Sequence, residues 1–178
     1  MPVVSIQNNR QWYAEARYNY EDINTFSLYL GKTFSNNNRL TYSVTPILGG
    51  SVGRFKGISA GLNIGLEYGN AFFSGQSQYS FTTSKESVDF FYSWSEIGYL
   101  AFEWLYAGIS FQHTWSSGEF LPETALMAGF SFNRFTIPLY AFDLFNEERY
   151  FVAGIIIAWK TTKKPDKVKP PLLVSRGN

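Results

Sequence analysis

Ile58-Ser-Ala-Gly-Leu-Asn-Ile-Gly-Leu-Glu-Tyr68 decides how the rest of the chain is read. Ile58, Ala60, Leu62, Ile64, Leu66 and Tyr68 share one parity, and Ser59, Gly61, Asn63, Gly65 and Glu67 share the other. A period of two is that of a β-strand with one apolar and one polar face. The polar face is unusual, because a strand facing bulk water normally carries Lys, Glu, Arg and Thr, whereas this one carries Ser, Gly, Asn and a single Glu. Small, mostly uncharged polar groups suit the inside of a narrow barrel whose apolar face is turned to lipid. The stretch therefore predicts an all-β fold, a transmembrane antiparallel up-and-down barrel.

Composition agrees with that expectation. Of 178 residues, 19% are aromatic and only 16% are charged, against a usual charged share of roughly 25%. A soluble all-β domain would need more charge to cover its surface. Mean hydropathy is −0.15, as expected where alternation averages an apolar band with a polar lining. No run of residues approaches the ~20 apolar residues of a membrane-spanning helix, the densest being Phe151 to Trp159. Met1-Pro-Val-Val-Ser-Ile-Gln has neither the basic start nor the apolar core of a signal peptide, so the chain reads as a mature or trimmed form beginning at a new start Met.

Outward from Ile58–Tyr68, the same pattern recurs. Residues 1–10 read as a polar lead-in. Gln11 to Tyr20 places Trp12, Ala14, Ala16, Tyr18 and Tyr20 outward, with Tyr13, Glu15, Arg17 and Asn19 inward. Further strands are expected over Thr25–Phe34, Leu40–Val52, Ala71–Phe81, Val88–Tyr99, Trp104–Trp115, Thr124–Phe132, Phe135–Phe142 and Arg149–Trp159. Pro46 removes a ladder donor and predicts a local bulge. In Val88–Tyr99 aromatics fall on both parities, and placing Glu96 inward takes Tyr92 and Trp94 with it. The expected count is about ten strands over residues 11–159, with 8 or 12 as alternatives, and residues 160–178 form a disordered tail.

An even count returns both ends of a barrel to one side. The connections sort accordingly: Ser35–Arg39, Gly69-Asn70, Leu100–Glu103 and Asn133-Arg134 are short, while Ser116–Glu123 and Asp143–Glu148 on the other side are long and acidic. Trp12, Tyr20, Phe34, Tyr68, Phe81, Trp104, Trp115, Phe132 and Trp159 gather near strand ends, as interfacial rings do. Gly31, Gly49, Gly61, Gly65, Gly108, Gly129 and Gly154 fall on the inward face, leaving room for inward Tyr13, Tyr29 and Tyr106 to lie across neighbouring strands.

Over Gln11 to Trp159 the architecture resembles that of small outer-membrane β-barrel proteins of Gram-negative bacteria. Tyr150–Trp159, alternating and aromatic-ended, is similar to their closing strand, although here the polypeptide continues beyond it. The resemblance implies an outer-membrane location with lipid around the barrel. The rival fold is a soluble lipocalin-like barrel, which would be apolar inside.

Several site types are set aside by composition. One histidine and no cysteine leave little scope for a transition-metal site, and Gly49-Gly50-Ser51-Val52-Gly53 lacks the Lys and helix of a phosphate loop. No cofactor is implied. Residues 1–159 hold nine basic and thirteen acidic residues, a net of −4 that argues against nucleic acid.

Glu15, Arg17, Glu67 and Glu96 are expected inside, as a network of mutually satisfied charges in a plugged lumen or, alternatively, as the lining of a narrow pore for small solutes or ions. His113, with Ser116 and Glu123, is the candidate catalytic set, since a hydroxyl attacking an ester needs an imidazole base and an orienting carboxylate. Some outer-membrane lipid-A deacylases, themselves small barrels, carry such residues on the outer wall. That family has serine two residues after histidine, where this chain has Trp115.

The tail from Lys160 carries six basic residues and one acid. Within it Lys163, Lys164, Pro170, Pro171, Leu172 and Leu173 read as a docking peptide, with charge to steer it and a stiff apolar anchor to hold a periplasmic or outer-membrane protein partner. The functional expectation is a non-enzymatic outer-membrane scaffold or interaction component, with the pore and the lipid-A-modifying esterase as alternatives.

Overall fold

The computed structural model describes residues 1–85, 87–144 and 149–159. Every regular element in it is a strand. In chain order these are β1 (Val3–Gln7), β2 (Trp12–Tyr18), β3 (Thr25–Lys32), β4 (Phe34–Asn37), β5 (Leu40–Gly53), β6 (Gly57–Tyr68), β7 (Ala71–Thr82), β8 (Phe90–Phe102), β9 (Leu105–Ser116), β10 (Glu119–Phe132), β11 (Phe135–Phe142), β12 (Tyr150–Ala153) and β13 (Ile156–Ile157). They form one antiparallel up-and-down sheet in which the path β1-β2-β3-β5-β6-β7-β8-β9-β10-β11-β12 is hydrogen-bonded in sequence, with β4 also on β5 and β13 also on β11.

Thirteen strands thus occupy eleven positions, because two strands are interrupted without a change of register. Gly31 pairs with Ile47 and Phe34 with Val44, which keeps β3 and β4 on one ladder across the gap. Leu139 pairs with Ala153 and Phe135 with Ile157, which does the same for β12 and β13. Each gap faces a proline, Pro46 on β5 and Pro138 on β11, where the ladder lacks a donor. The bulge expected at Pro46 does not form. Among the described residues the one register shift lies between Leu100 and Phe102, at the end of β8.

Two expectations are corrected at the edges of the sheet. Residues 1–10 are not merely a lead-in, since Val3–Gln7 pairs with Tyr13–Arg17 along the free edge of β2. The count is therefore odd. The N-terminal end of β1 lies beside Arg17, at the opposite end of the sheet from Ala158, whose N–H donates to Arg134 O at 2.9 Å. The sheet is also not closed: among the described residues no ladder joins β1 to β12.

The connections at the Ala158 end are residues 8–11, of four residues, and Asn38-Arg39, Gly69-Asn70, Glu103-Trp104 and Asn133-Arg134, each of two. At the other end the long loop expected over Ser116–Glu123 is instead the two-residue turn Ser117-Gly118. Both residues have positive φ (53° and 81°), the I′ geometry that matches strand twist.

Burial follows the alternation. Outward Leu28, Leu48, Ile58, Leu126, Phe130 and Ile137 are exposed, and inward Glu15, Ser27, Asn63, Gln78, Glu96 and Ser110 are buried. The inner face is not uniformly polar. Tyr92, Trp94, Tyr106, Met127, Tyr140 and Phe142 from β8 to β11 form an aromatic cluster, while β2 to β7 supply the polar half. Trp94 stands edge-on to Tyr140 and Phe142 with centroids 5.4 and 5.9 Å apart, so rings from β8 and β11 fill the space between them. Tyr106 lies over its cross-strand partner Gly129, and Tyr29 over Gly49; a Cβ on either glycine would overlap the ring.

Candidate functional site

The polar half of the interior is organised by Arg17. Its side chain is aimed inward by the pleat of β2 and is 1% exposed. The guanidinium Nε donates to Glu15, and Nη1 reaches Glu21 Oε1 at 3.4 Å and Gln78 Oε1 at 2.7 Å. The rings of Tyr20 and Tyr29 each lie 4.2 Å from the guanidinium carbon. Two carboxylates and two ring faces replace the water that a buried cation loses. Glu21 further accepts from Ser27 and, at 2.6 Å, from Tyr29 Oη, while Glu15 accepts from Tyr13 Oη.

Glu96 centres the aromatic half. It is fully buried and accepts from Ser74 Oγ at 3.2 Å, Trp94 Nε1 at 3.0 Å and Tyr140 Oη at 2.6 Å. Three donors from β7, β8 and β11 converge on one carboxylate, an arrangement that stabilises a buried negative charge.

The four inward charges expected from sequence all lie on the inner face. Glu15 and Arg17 pair directly, and Glu96 has its own donors. Glu67 is half-buried near the short-turn end, opposite Thr41 and Phe72, six residues and about 20 Å along β6 from Gly61, the partner of Gln78. Glu21 is the member that alternation misses, because it belongs to a connection.

Tyr20 corrects a second expectation. Asn19 has φ of 56°, accepts from Asn24 N through its side chain at 2.6 Å, and breaks the alternation at the end of β2. Tyr20 consequently turns inward, donates to Gln76 Oε1 at 3.1 Å, and meets Tyr92 edge-on with centroids 5.9 Å apart. Burial pushes its phenol pKa up, so it serves as a neutral donor.

His113, Ser116 and Glu123 do not assemble. His113 faces outward and stacks on Phe120, with centroids 5.4 Å apart. Ser116, three residues on, has the opposite parity and borders the interior. Glu123, paired with Gln112, also turns inward and accepts from Gln112 Nε2 at 2.6 Å and Tyr150 Oη at 2.8 Å. The sheet itself separates the imidazole from the serine and the carboxylate. Among the described residues no group of three or more His, Cys, Asp or Glu is placed to hold a metal ion. Lys163, Lys164, Pro170, Pro171, Leu172 and Leu173 lie outside the described residues.

At the end of the sheet opposite the two-residue turns Asn38-Arg39, Gly69-Asn70, Glu103-Trp104 and Asn133-Arg134, the interior opens into a cavity of about 610 Å³. Tyr20, Phe55, Phe90 and Tyr92 give it aromatic walls, and Gln112, Thr114 and Ser116 give it a polar side. Asp22 and Arg54, 3.3 Å apart, stand at its rim.

No family model matches this chain, and no curated protein or solved structure matches it either.

Proposed function

We propose that this chain is an outer-membrane β-barrel of a Gram-negative bacterium, with lipid around its outer face and a filled interior, acting as a non-conducting scaffold or interaction component of the envelope. The observation that carries this reading is inverted burial. Leu48 is 69% and Phe132 82% exposed, while Glu15 and Arg17 are 1% exposed and Glu96 is fully buried. A water-soluble sheet buries its leucines and leaves its carboxylates outside, and an apolar patch spread over every strand would not persist in water. A lipocalin-like fold, apolar inside, has the opposite arrangement.

Dimensions and rims support the same reading. Ile58 to Tyr68 rises about 33 Å along the strand, or about 25 Å of depth at the usual tilt, the height of the apolar band in such barrels. Trp12, Phe34, Tyr68, Trp104, Phe132 and Trp159 ring the short-turn end, and Phe81, Trp115 and Phe120 stand at the other.

Within lipid a sheet cannot keep open edges. Closure over β12 follows from strand direction. β2 and β12 run antiparallel, so β12 is suited to the edge of β2, and β1 now occupies that edge. In this reading β1 yields the β2 edge to β12 on insertion, giving the ten-stranded even barrel.

The filled interior disfavours the pore, since Arg17, Trp94, Tyr106 and Tyr140 stand where a solute would pass. The separation of His113 from Ser116 and Glu123 disfavours the esterase. The basic tail from Lys160 is proposed as the docking element for a periplasmic or outer-membrane protein partner. The test of the main reading is behaviour in detergent. The folded chain should require detergent, migrate differently on unheated and heated gels, and give no steady conductance in a planar bilayer. A monodisperse monomer in plain buffer would end it.

A further inference from the structure

Gln112 presents a buried acceptor with no partner. It is 5% exposed and lines the cavity at the loop end, and its Nε2 is held by Glu123 Oε2 at 2.6 Å. A carboxylate can only accept, so the amide orientation is fixed and Oε1 must point away from Glu123. Among the described residues no group donates to that oxygen.

Gln76 shows the complementary defect two strands away. Its Oε1 accepts from Tyr20 Oη and its buried Nε2 has no partner. Both glutamines register with Trp94, one on each side, so an unfilled donor and an unfilled acceptor flank the same indole beneath the cavity. Buried polar groups left in this way cost stability unless something else completes them.

The walls restrict what that something is. An anion is disfavoured, because Glu21 and Asp22 border the cavity and its Arg54 is already paired to Asp22. A cation finds no spare carboxylate at Glu21, whose oxygens are taken by Arg17, Ser27 and Tyr29. A purely apolar molecule would leave Gln112 Oε1 unsatisfied. Phe55 and Phe90, edge-on with centroids 5.3 Å apart, together with Tyr92, offer ring faces to flat C–H surfaces, and Thr114 and Ser116 offer hydroxyls that both donate and accept. A volume of about 610 Å³ is within the range of small-molecule sites.

We propose that this cavity binds a neutral, hydroxyl-rich molecule with apolar ring faces, a short saccharide, through donation to Gln112 Oε1 and packing on Phe90 and Tyr92. The site is formed by the inner face and the loops, so it stands whether or not the outer face lies in lipid.

The test uses the full chain in an amine-oxide detergent, which carries no sugar headgroup to occupy the cavity. Maltose and N-acetylglucosamine are the probes, with spermidine, citrate and indole as cationic, anionic and apolar comparisons, read by saturation-transfer NMR and titration calorimetry. The expected result is saturable binding of at least one sugar, weakened about tenfold in Gln112→Leu and less in Thr114→Val, both checked for unchanged gel mobility when unheated. Thr114→Val carries the test alone if Gln112→Leu fails to fold. Absence of saturable sugar binding, unchanged affinity in the folded variants, or tighter binding of spermidine, citrate or indole would each overturn the proposal.

Discussion

Arg17 and Gln78 are 61 residues apart and belong to strands that are not neighbours, yet Arg17 Nη1 donates to Gln78 Oε1 at 2.7 Å. Four ladder steps separate β2 from β7. On a flat sheet, at about 4.8 Å per step, that places the strands about 19 Å apart, beyond the reach of two side chains. The bond exists because the sheet curls and turns its polar face inward. The same curl brings Tyr20 onto Gln76 and Tyr92, so curvature and the buried charge network are one structural fact.

Removing the guanidinium should therefore cost more than an ordinary surface change. Arg17→Met leaves Glu15 and Glu21 buried without their cation and is expected to destabilise the fold by about 3–5 kcal/mol. Pairing it with Glu15→Gln should recover part of that loss. Urea titration of the three proteins would show it, and a cost below about 1 kcal/mol for Arg17→Met would mean that water reaches the network.

The carboxylate of Glu96 gives a smaller and separable effect. Tyr140→Phe removes one donor to a buried charge and should cost about 1.5–3 kcal/mol. Ser74→Ala, which removes the longer 3.2 Å contact, should cost less. The reverse order in the same titration would assign the charge a different principal partner.

Leu126→Arg discriminates between lipid and water on the outer face. Leu126 is exposed and outward at the middle of β10, paired with Ile109 and Ala141. Facing lipid, the substitution should cost about 2–4 kcal/mol when folding is measured into vesicles. Facing water it would change stability by about 0.5 kcal/mol or less.

Closure can be read by cross-linking, because the chain contains no cysteine to interfere. Val4→Cys with Ala16→Cys, directly paired between β1 and β2, should form a disulfide in the open sheet. Ala16→Cys combined in turn with cysteine at Phe151, Ala153 and Ile155 should cross-link only after insertion into vesicles, with loss of the Val4 product. Persistence of the Val4 disulfide in vesicles, with no product from β12, would show that β1 keeps its place and that closure, if any, is of another kind.

Ending the chain at Lys160 should leave the unfolding midpoint unchanged, since Ala158 already reaches Arg134 across the last ladder. If the tail docks a partner, co-purification of one defined periplasmic or outer-membrane protein should be lost with it. Retention of every partner by the shortened chain would remove the docking role.

The alternation of Ile58–Tyr68, and of each strand like it, determined by itself which residues are strand and which way they face. A period of two leaves no other assignment when one face is Leu, Ile and Phe and the other Ser, Gly and Asn. It also set Glu15, Arg17 and Glu96 inside and His113 outside, and put Gly49 and Gly129 on the inner face, while the register that lays Tyr29 and Tyr106 over them belongs to the tertiary structure. The two-residue turns Gly69-Asn70 and Asn133-Arg134 were legible for the same local reason, whereas Ser35–Arg39 and Leu100–Glu103 shrink in the structure to Asn38-Arg39 and Glu103-Trp104. Val3–Gln7 escaped because its three apolar residues, Val3, Val4 and Ile6, do not alternate, and Ser117-Gly118 because the acidic residues after it suggested a loop. Tyr20 escaped because one left-handed residue, Asn19, resets the parity without changing composition. Only the tertiary structure decided that Arg17 meets Gln78, that Glu21 joins them, that Gln112 is left with an open acceptor, and that β1 rather than β12 holds the edge of β2. Those outcomes depend on how far the sheet curls and which edge pairs first, quantities summed over all the strands, and no single stretch of residues encodes them.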